Sequence, residues 1–322
     1  MFDGISTIMP IHIGALGPTT VRDLLRAAGS VLSQECEFPS ELLMVDDGST
    51  PAMQSIPALE PVLADPRVRV VRLPRNQGLV YALNAGLTQA RHGLIARIDG
   101  DDFWRPGKLR RQLEMFAADP ELTLAGTSLR VVHTNDPSLD RDDLRGGCWN
   151  DVLAFVERVG CPFPHGSILA RRDVFEILGG YPHSPVYTHC EDFALWSWWI
   201  RFFKVAIASE VLFEYTISEH QVSSRFAAEQ GRASEMVRRT FVELGDYQRI
   251  PGAVHFLAEK LGLPLLSASR VLCRAWMFHE EIAVDADLYD AARIVFPDRA
   301  VHRHGAAEVS PGEQTFHLRC GA

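Results

Sequence analysis

The stretch Arg97-Ile98-Asp99-Gly100-Asp101-Asp102-Phe103-Trp104 decides how this 322-residue chain is read. The apolar run Leu94 to Ile98 has the length and composition of a short buried strand. It delivers three carboxylates within four residues, and Pro106 follows where a helix can begin. In open α/β sheets, ligands sit beyond the carboxyl ends of the strands. Hard oxygen donors packed that closely suit Mg²⁺ or Mn²⁺ shared with a substrate phosphate. The bland alternative is an acidic turn capping the next helix, so the rest of the chain has to decide.

On the amino-terminal side, short strands are expected at Ile5 to Met9, Glu41 to Val45 and Val68 to Leu73. A helix capped by Thr19 or Thr20 carries Val21, Leu24, Leu25, Ala28, Val31 and Leu32 on one face. A second helix follows Asn76-Gln77-Gly78, and a third follows Pro106 with Leu109, Leu113, Phe116 and Ala117 inward. Leu122 to Val132 supplies another strand. Crossovers of this length imply a mostly parallel sheet with helices on both faces. Each polar cluster follows a strand: Pro10 to Gly14, Asp46 to Thr50, Arg75 to Gly78, Asp99 to Asp102. Such turns gather along one sheet edge, where a nucleotide crevice belongs.

Beyond a polar stretch at 135–147, a helix is expected over Trp149 to Arg158, a strand over His165 to Arg171, and a short helix ending at Gly179-Gly180. Tyr181 to Cys190 reads as a loop. Glu191-Asp192 then opens a strongly apolar helix, where carboxylates suit the unpaired amides of a first turn. Val205 to Ala208 and Val211 to Ile217 read as two short strands, followed by a polar segment around His220. Residues 226–298 read as a largely helical carboxyl-terminal region and 299–322 as a flexible tail. The helical region either packs on the core, the preferred reading, or closes an acceptor site, touches a membrane surface or meets a second copy in a homodimer.

Composition narrows the classes. The chain is 47% hydrophobic with a net charge of −9, so no basic balance favours nucleic acid as a partner. Six cysteines show no zinc-type spacing and read as cytosolic thiols. The start lacks a basic-then-apolar leader and no apolar run spans a bilayer, so the expectation is a cytoplasmic protein, with room for peripheral contact at the inner face of a membrane. No GxGxxG and no Walker lysine loop is present, which disfavours the usual dinucleotide and P-loop enzymes.

The ordered set Ile8-Met9-Pro10, Val45-Asp46-Asp47-Gly48-Ser49-Thr50, Arg75-Asn76-Gln77-Gly78, Ala82-Leu83-Asn84-Ala85-Gly86, Ile98-Asp99-Gly100-Asp101-Asp102, Pro164-His165-Gly166-Ser167, Gly179-Gly180-Tyr181 and Glu191-Asp192-Phe193-Ala194-Leu195-Trp196 resembles the family-two glycosyltransferases. These are inverting enzymes of the GT-A fold, and the likeness covers roughly residues 5–225, the nucleotide-sugar-binding and catalytic domain. It is nearest to the bacterial branch that builds capsule, exopolysaccharide or O-antigen units. Ile11 and His12 depart from the aromatic and Asn common after the first-strand proline, and Leu83 stands where many members carry Arg.

The resemblance implies a hexosyltransferase that moves a sugar from a UDP-sugar to a hydroxyl of a saccharide, with a lipid-linked saccharide as the acceptor class. It implies Asp192 as general base, with Glu191 binding the acceptor or orienting Asp192. It implies Asp47 on the uracil imide, Asp46 and Ser49 as second choices, Pro10 lining the base pocket, and Asn76 and Gly78 bordering the nucleotide. Asp99 and Gly100 fall near the ribose. Asp101 is the expected ligand of Mn²⁺ or Mg²⁺, with Asp102 supporting and His220 reaching the metal or pyrophosphate. The alternatives are another nucleotide-sugar enzyme such as a nucleotidyltransferase, and a non-catalytic UDP-binding relative.

Overall fold

The computed structural model describes residues 2–14, 17–218, 226–245, 247, 250–278, 282–284 and 316–318. Strands β1 (Ile5–Ile11), β2 (Ser40–Asp46), β3 (Val68–Arg72) and β4 (Leu94–Arg97) run parallel in the order β3-β2-β1-β4. Register is firm: Ile8 lies opposite Leu43 on one side and Arg97 on the other. Helices α1 (Pro18–Leu32), α2 (Glu60–Leu63), α3 (Leu79–Gln89) and α4 (Lys108–Ala118) complete the crossovers. Alternate side chains of a strand face opposite ways, and both faces are covered here. Met9, Leu42, Met44 and Ala96 pack with Leu24 and Ala28 of α1. Ile8, Leu43, Val45 and Ile95 pack with Ala82 and Leu83 of α3. Double coverage explains why these strands read as unbroken apolar runs.

The parallel expectation describes this half of the sheet; beyond β4 the sheet is mixed. The remaining strands are β5 (Phe103–Trp104), β6 (Leu124–His133), β7 (Arg141–Asp143), β8 (Leu169–Arg171) and β9 (Val205–Ile217). The order continues β4-β8-β6-β9-β5, with β8 antiparallel to both neighbours, β9 parallel to β6, and β7 pairing with β6. The two strands expected at 205–217 are one strand. Its register slips between Ala208, opposite Thr127, and Val211, opposite Ser128, so Ser209 and Glu210 form a bulge. Phe103–Trp104 and Arg141–Asp143 are too short for periodicity to mark. The expected strand at His165 to Arg171 begins with a tight helical turn, His165–Ser167, and only then becomes β8. Gly17, not a threonine, stands at the cap of α1, with Pro18 as its first residue.

Helices α5 (Trp149–Arg158), α6 (Arg172–Leu178) and α7 (Glu191–Phe202) lie in the second half, followed by α8 (Ala227–Leu244), α9 (Ile250–Leu261) and α10 (Leu265–Phe278). Helix α7 is apolar nearly all round because it is central. Its Phe193, Trp196, Trp199 and Ile200 share one core with Ala233, Val237 and Phe241 of α8, Val254 of α9 and Leu272 of α10. The carboxyl-terminal helices therefore pack on α7 and the core it shares, the arrangement preferred from the sequence. Ile282–Val284 pairs antiparallel with Phe316–Leu318.

Candidate active site

The loops after β1 and β2 meet the 75–78 turn, and two carboxylates fasten them. Asp46, fully buried at the end of β2, accepts the Ser49 amide at 2.8 Å and the Met53 amide at 3.3 Å, and it pairs with Arg72. Burial alone would raise its carboxyl, but the bonds from Ser49, Met53 and Arg72 prevail and hold it low. Asp47 spans the gap: Oδ1 accepts the Gln77 amide and Oδ2 the Gly78 amide, each at 2.8 Å. Gly78 N–H is shared with Asn76 Oδ1 at 3.0 Å, and Asn76 itself is exposed. Ser49 Oγ accepts the Ile13 amide at 2.9 Å. Pro10 is partly buried in β1 opposite Val45. His12, in the place of the usual Asn, bonds the Asp47 carbonyl through Nδ1 at 2.9 Å.

Strand β4 ends one step away in the acidic turn, where the carboxylates have different surroundings. Arg97, only 3% exposed, grips both oxygens of Asp99. Asp101 is partly exposed, and its carbonyl accepts from Arg26 of α1 at 2.9 Å; the same guanidinium group donates to Thr216 Oγ1 at 3.0 Å. Asp102 is buried beneath. Its Oδ1 accepts the Thr216 amide at 3.0 Å, while Oδ2 is buried with no hydrogen-bond partner among the described residues. Burial, then the charges of Asp99 and Asp101, push its carboxyl well above the usual range. Below it, Trp104 donates to the Gly166 carbonyl at 2.9 Å, and the buried Lys108 ammonium lies 3.9 Å from the Trp104 ring centroid.

Across the sheet edge, α7 opens with Glu191 and Asp192. Glu191 is 8% exposed; Asp192 is partly exposed and accepts the Phe193 amide at 2.7 Å. Burial, with the Asp192 charge added, raises Glu191 to about 7. Burial also raises Asp192, against the downward pull of the Phe193 amide and Arg97, with Asp99 pushing it further up. The preceding loop is pinned by Asn84 of α3, which donates to the Tyr181 carbonyl and accepts the Tyr181 amide, both at 2.9 Å. Gly180 (φ +79°) makes this close approach, since a Cβ there would lie 2.5 Å from Asn84 Oδ1. The Tyr181 hydroxyl meets His165 Nε2 at 2.7 Å, and burial, then Arg97, drives His165 well below its usual value, keeping it neutral. The charges of Arg97 and Asp99 bear on both Asp192 and Glu191, so the start of α7 lies within electrostatic reach of the acidic turn although 90 residues separate Asp102 from Asp192.

The signature described as Glycosyl transferase family 2 matches residues 7–179, more than half of the chain. This chain belongs to glycosyl transferase family 2. It is similar to the amylovoran biosynthesis glycosyltransferase AmsE of Erwinia amylovora, with 28% identity over 232 residues, 70% of this chain and 83% of the relative. It is also similar to the succinoglycan biosynthesis protein ExoO of Rhizobium meliloti, with 41% identity over 122 residues, 38% of this chain and 32% of that protein. Among solved structures, S. aureus TarS 1-349 in complex with UDP superposes with a TM-score of 0.52 at 15% identity, over 74% of this chain and 70% of that one. That likeness establishes the GT-A-type fold. The molecule is an enzyme, a glycosyltransferase.

Among the described residues of the transferase, no three His, Cys, Asp or Glu side chains are arranged to hold a metal ion by themselves. The donor chemistry still fits a hard cation bound chiefly through substrate phosphates, which takes only one or two protein carboxylates. Asp101 is the partly exposed candidate, Asp102 supports the turn from below, and His220 lies outside the described residues. Sequence reasoning assigned no role to Arg72, Arg97, Lys108 or the Asn84 clamp. Arg97 and Lys108 carried a signal: each is a cation in an apolar run, Leu94 to Ile98 and the inward face of α4.

Proposed function

We propose that this glycosyltransferase is an inverting, metal-dependent enzyme that moves a sugar from a UDP-sugar to a hydroxyl of a saccharide acceptor during assembly of a cell-surface polysaccharide. The single observation that carries the reading is the acidic turn at the end of β4 within electrostatic reach of the Glu191–Asp192 pair that opens α7. Names of the relatives AmsE and ExoO support the polysaccharide context. The UDP bound in the TarS structure supports the donor class.

In this reading Asp47, held between Gln77 and Gly78, offers its remaining lone pairs to the uracil imide, and Pro10 and Asn76 border the base. Asp46 and Ser49 shape the loop that carries Asp47. Asp99 and Gly100 lie by the ribose. Asp101 would hold Mn²⁺ or Mg²⁺, whose positive charge would offset the negative charge on the departing diphosphate. The acceptor oxygen forms its bond to the anomeric carbon as the bond to UDP breaks, and its proton passes to Asp192. A carboxylate raised toward working pH suits that task. Residues 1–225 form the catalytic unit, and the helices after 226 back the acceptor side. The acceptor is lipid-linked and met at the inner face of the membrane; no helix among the described residues is long and apolar enough to cross a bilayer.

The test is UDP release from a panel of UDP-sugars, with Mn²⁺ or Mg²⁺ and saccharide acceptors. The expected result is acceptor-dependent release, lost on the order of 10²–10⁴-fold in Asp192→Asn, with UDP binding by calorimetry unchanged within about twofold. Release of pyrophosphate in place of UDP, or wild-type turnover matched by Asp192→Asn, overturns the assignment.

A further inference from the structure

We propose, resting on the transfer reaction above, that Arg26 is a positioning residue for the donor side: from α1 it sets where the backbone of the acidic turn stands and ties that turn to β9. Arg26, Ser30 and Gln34 recur every four residues, so they line one face of the helix and its end. Each holds backbone from the segment that follows β4. Arg26 Nη2 donates to the Asp101 carbonyl at 2.9 Å. Ser30 Oγ accepts the Trp104 amide at 3.1 Å. Gln34 donates to the Arg105 carbonyl at 3.0 Å and accepts the Leu109 amide at 3.3 Å. The helix also lies close against the turn, for a Cβ on Gly100 would stand 2.6 Å from Leu24 Cδ2.

Arg26 differs from the other two rungs. Ser30 and Gln34 hold residues beyond the turn, whereas Arg26 holds Asp101 itself. The same Nη2 donates to Thr216 Oγ1 at 3.0 Å, and the Thr216 amide donates to Asp102 Oδ1 at 3.0 Å. Thr216 of β9 therefore meets both residues of the Asp101–Asp102 pair, one through the guanidinium group and one directly. The guanidinium carbon also lies 5.5 Å from the Phe103 ring centroid, within cation–π range. Helix α1, the turn and β9 thus converge on one half-buried side chain. Groups that meet a reacting centre have to be held to within about 0.5 Å of their place. Gly100 leaves the turn conformationally free, so the fixing has to come from outside it, and Arg26 supplies it at Asp101.

The ladder supplies its own control. UDP titration calorimetry with Mn²⁺ and urea unfolding are run on wild type, Arg26→Met, Gln34→Ala, Thr216→Val, Asp101→Asn and the double variant Arg26→Met with Asp101→Asn. Arg26→Met keeps an apolar stem and removes both bonds from Nη2, and UDP binding weakens by about tenfold, the scale of one hydrogen bond from a charged group. Gln34→Ala lowers the urea midpoint but leaves UDP affinity within about twofold, as for an independent site. In the Asp101→Asn background Arg26→Met weakens UDP binding no further, because residues that act as a unit are not additive. Equal weakening in both backgrounds, or a Gln34→Ala loss of UDP affinity matching that of Arg26→Met, marks a general structural role and overturns the proposal. Wild-type affinity in Arg26→Met overturns it too. In each of these cases a wild type that still releases UDP on transfer leaves the transfer reading standing. If Arg26→Met fails to fold, Thr216→Val decides: weaker UDP binding supports the tie to β9, and unchanged affinity overturns it. A wild type that neither binds nor releases UDP overturns both readings.

Discussion

Gly48→Ala tests whether the nucleotide loops are held as described. Gly48 has φ +67°, and a Cβ there would lie 2.3 Å from the Arg75 carbonyl carbon and 2.4 Å from the Asn76 nitrogen. Both obstacles are backbone, so no side-chain rotation relieves them. The 75–78 turn must retreat by about 1 Å to reach ordinary contact, and that movement stretches the two 2.8 Å bonds from Gln77 and Gly78 to Asp47 past hydrogen-bonding range. The left-handed conformation costs about 1–2 kcal/mol for a residue with a Cβ. Each hydrogen bond to a charged carboxylate contributes roughly 1.5–3 kcal/mol. Losing even one beside the strain gives about 3–5 kcal/mol, a large share of the ~5–15 kcal/mol that holds a typical domain. Urea unfolding followed by circular dichroism reads the stability, and calorimetry reads UDP affinity, expected to fall at least tenfold. A stability loss under about 1 kcal/mol, the size of one ordinary hydrogen bond, together with unchanged UDP binding, refutes the reasoning.

Three further outcomes follow from buried groups. Burial holds the Lys108 amine well below its ordinary 10.5, so the unfolded chain binds the proton more tightly and stability rises with pH until about that value; Lys108→Met removes this rise, read as the wild-type-minus-variant difference in urea unfolding from neutral pH to about pH 10. Glu191, raised to about 7 from an ordinary 4.5, contributes stability that is full below the lower value and lost as pH climbs through the higher. Glu191→Gln therefore gains stability relative to wild type across that window, and a flat difference contradicts the burial assigned to Glu191. Asn84→Ala leaves the Tyr181 amide and carbonyl without their partners, a loss of about 1–3 kcal/mol for a buried unpaired group, and slows transfer by loosening the loop ahead of Glu191.

The parallel half was readable because each of its strands is covered on both faces: Leu42 to Val45 and Leu94 to Ala96 are fully buried or nearly so. Turn positions followed from where those runs stop. The mixed half resisted because its strands lack a steady pattern. The Ser209–Glu210 bulge breaks the period of β9, β7 is polar because its residues are largely exposed, and β5 has only two residues. In the site, residue types were legible but divisions of labour were not. Asp46 and Asp47 are neighbours in sequence, yet one is enclosed with Arg72 while the other reaches the 76–78 amides. That split depends on side-chain direction at the end of a strand. The burial of Arg97 at the end of β4 depends on β8 folding back to pair beside it, which no local window contains.

The carboxylates at the strand ends form a series in which enclosure and engagement sort structure from chemistry. Asp46 has spent its oxygens on Ser49, Met53 and Arg72 within a closed loop, and Asp102 is sealed beneath the acidic turn. Asp47 accepts one bond per oxygen from backbone amides, which leaves lone pairs for a neutral N–H donor but fixes it against movement. Asp99 is held by a guanidinium that the ribose of the proposed donor would have to share. Asp101 and Asp192 are both partly exposed. A cation carried in on phosphates and a proton leaving an acceptor hydroxyl need carboxylates that solvent and substrate can reach. On those grounds we propose that Asp101 and Asp192 carry the chemistry, and that the other four hold the ground on which it occurs.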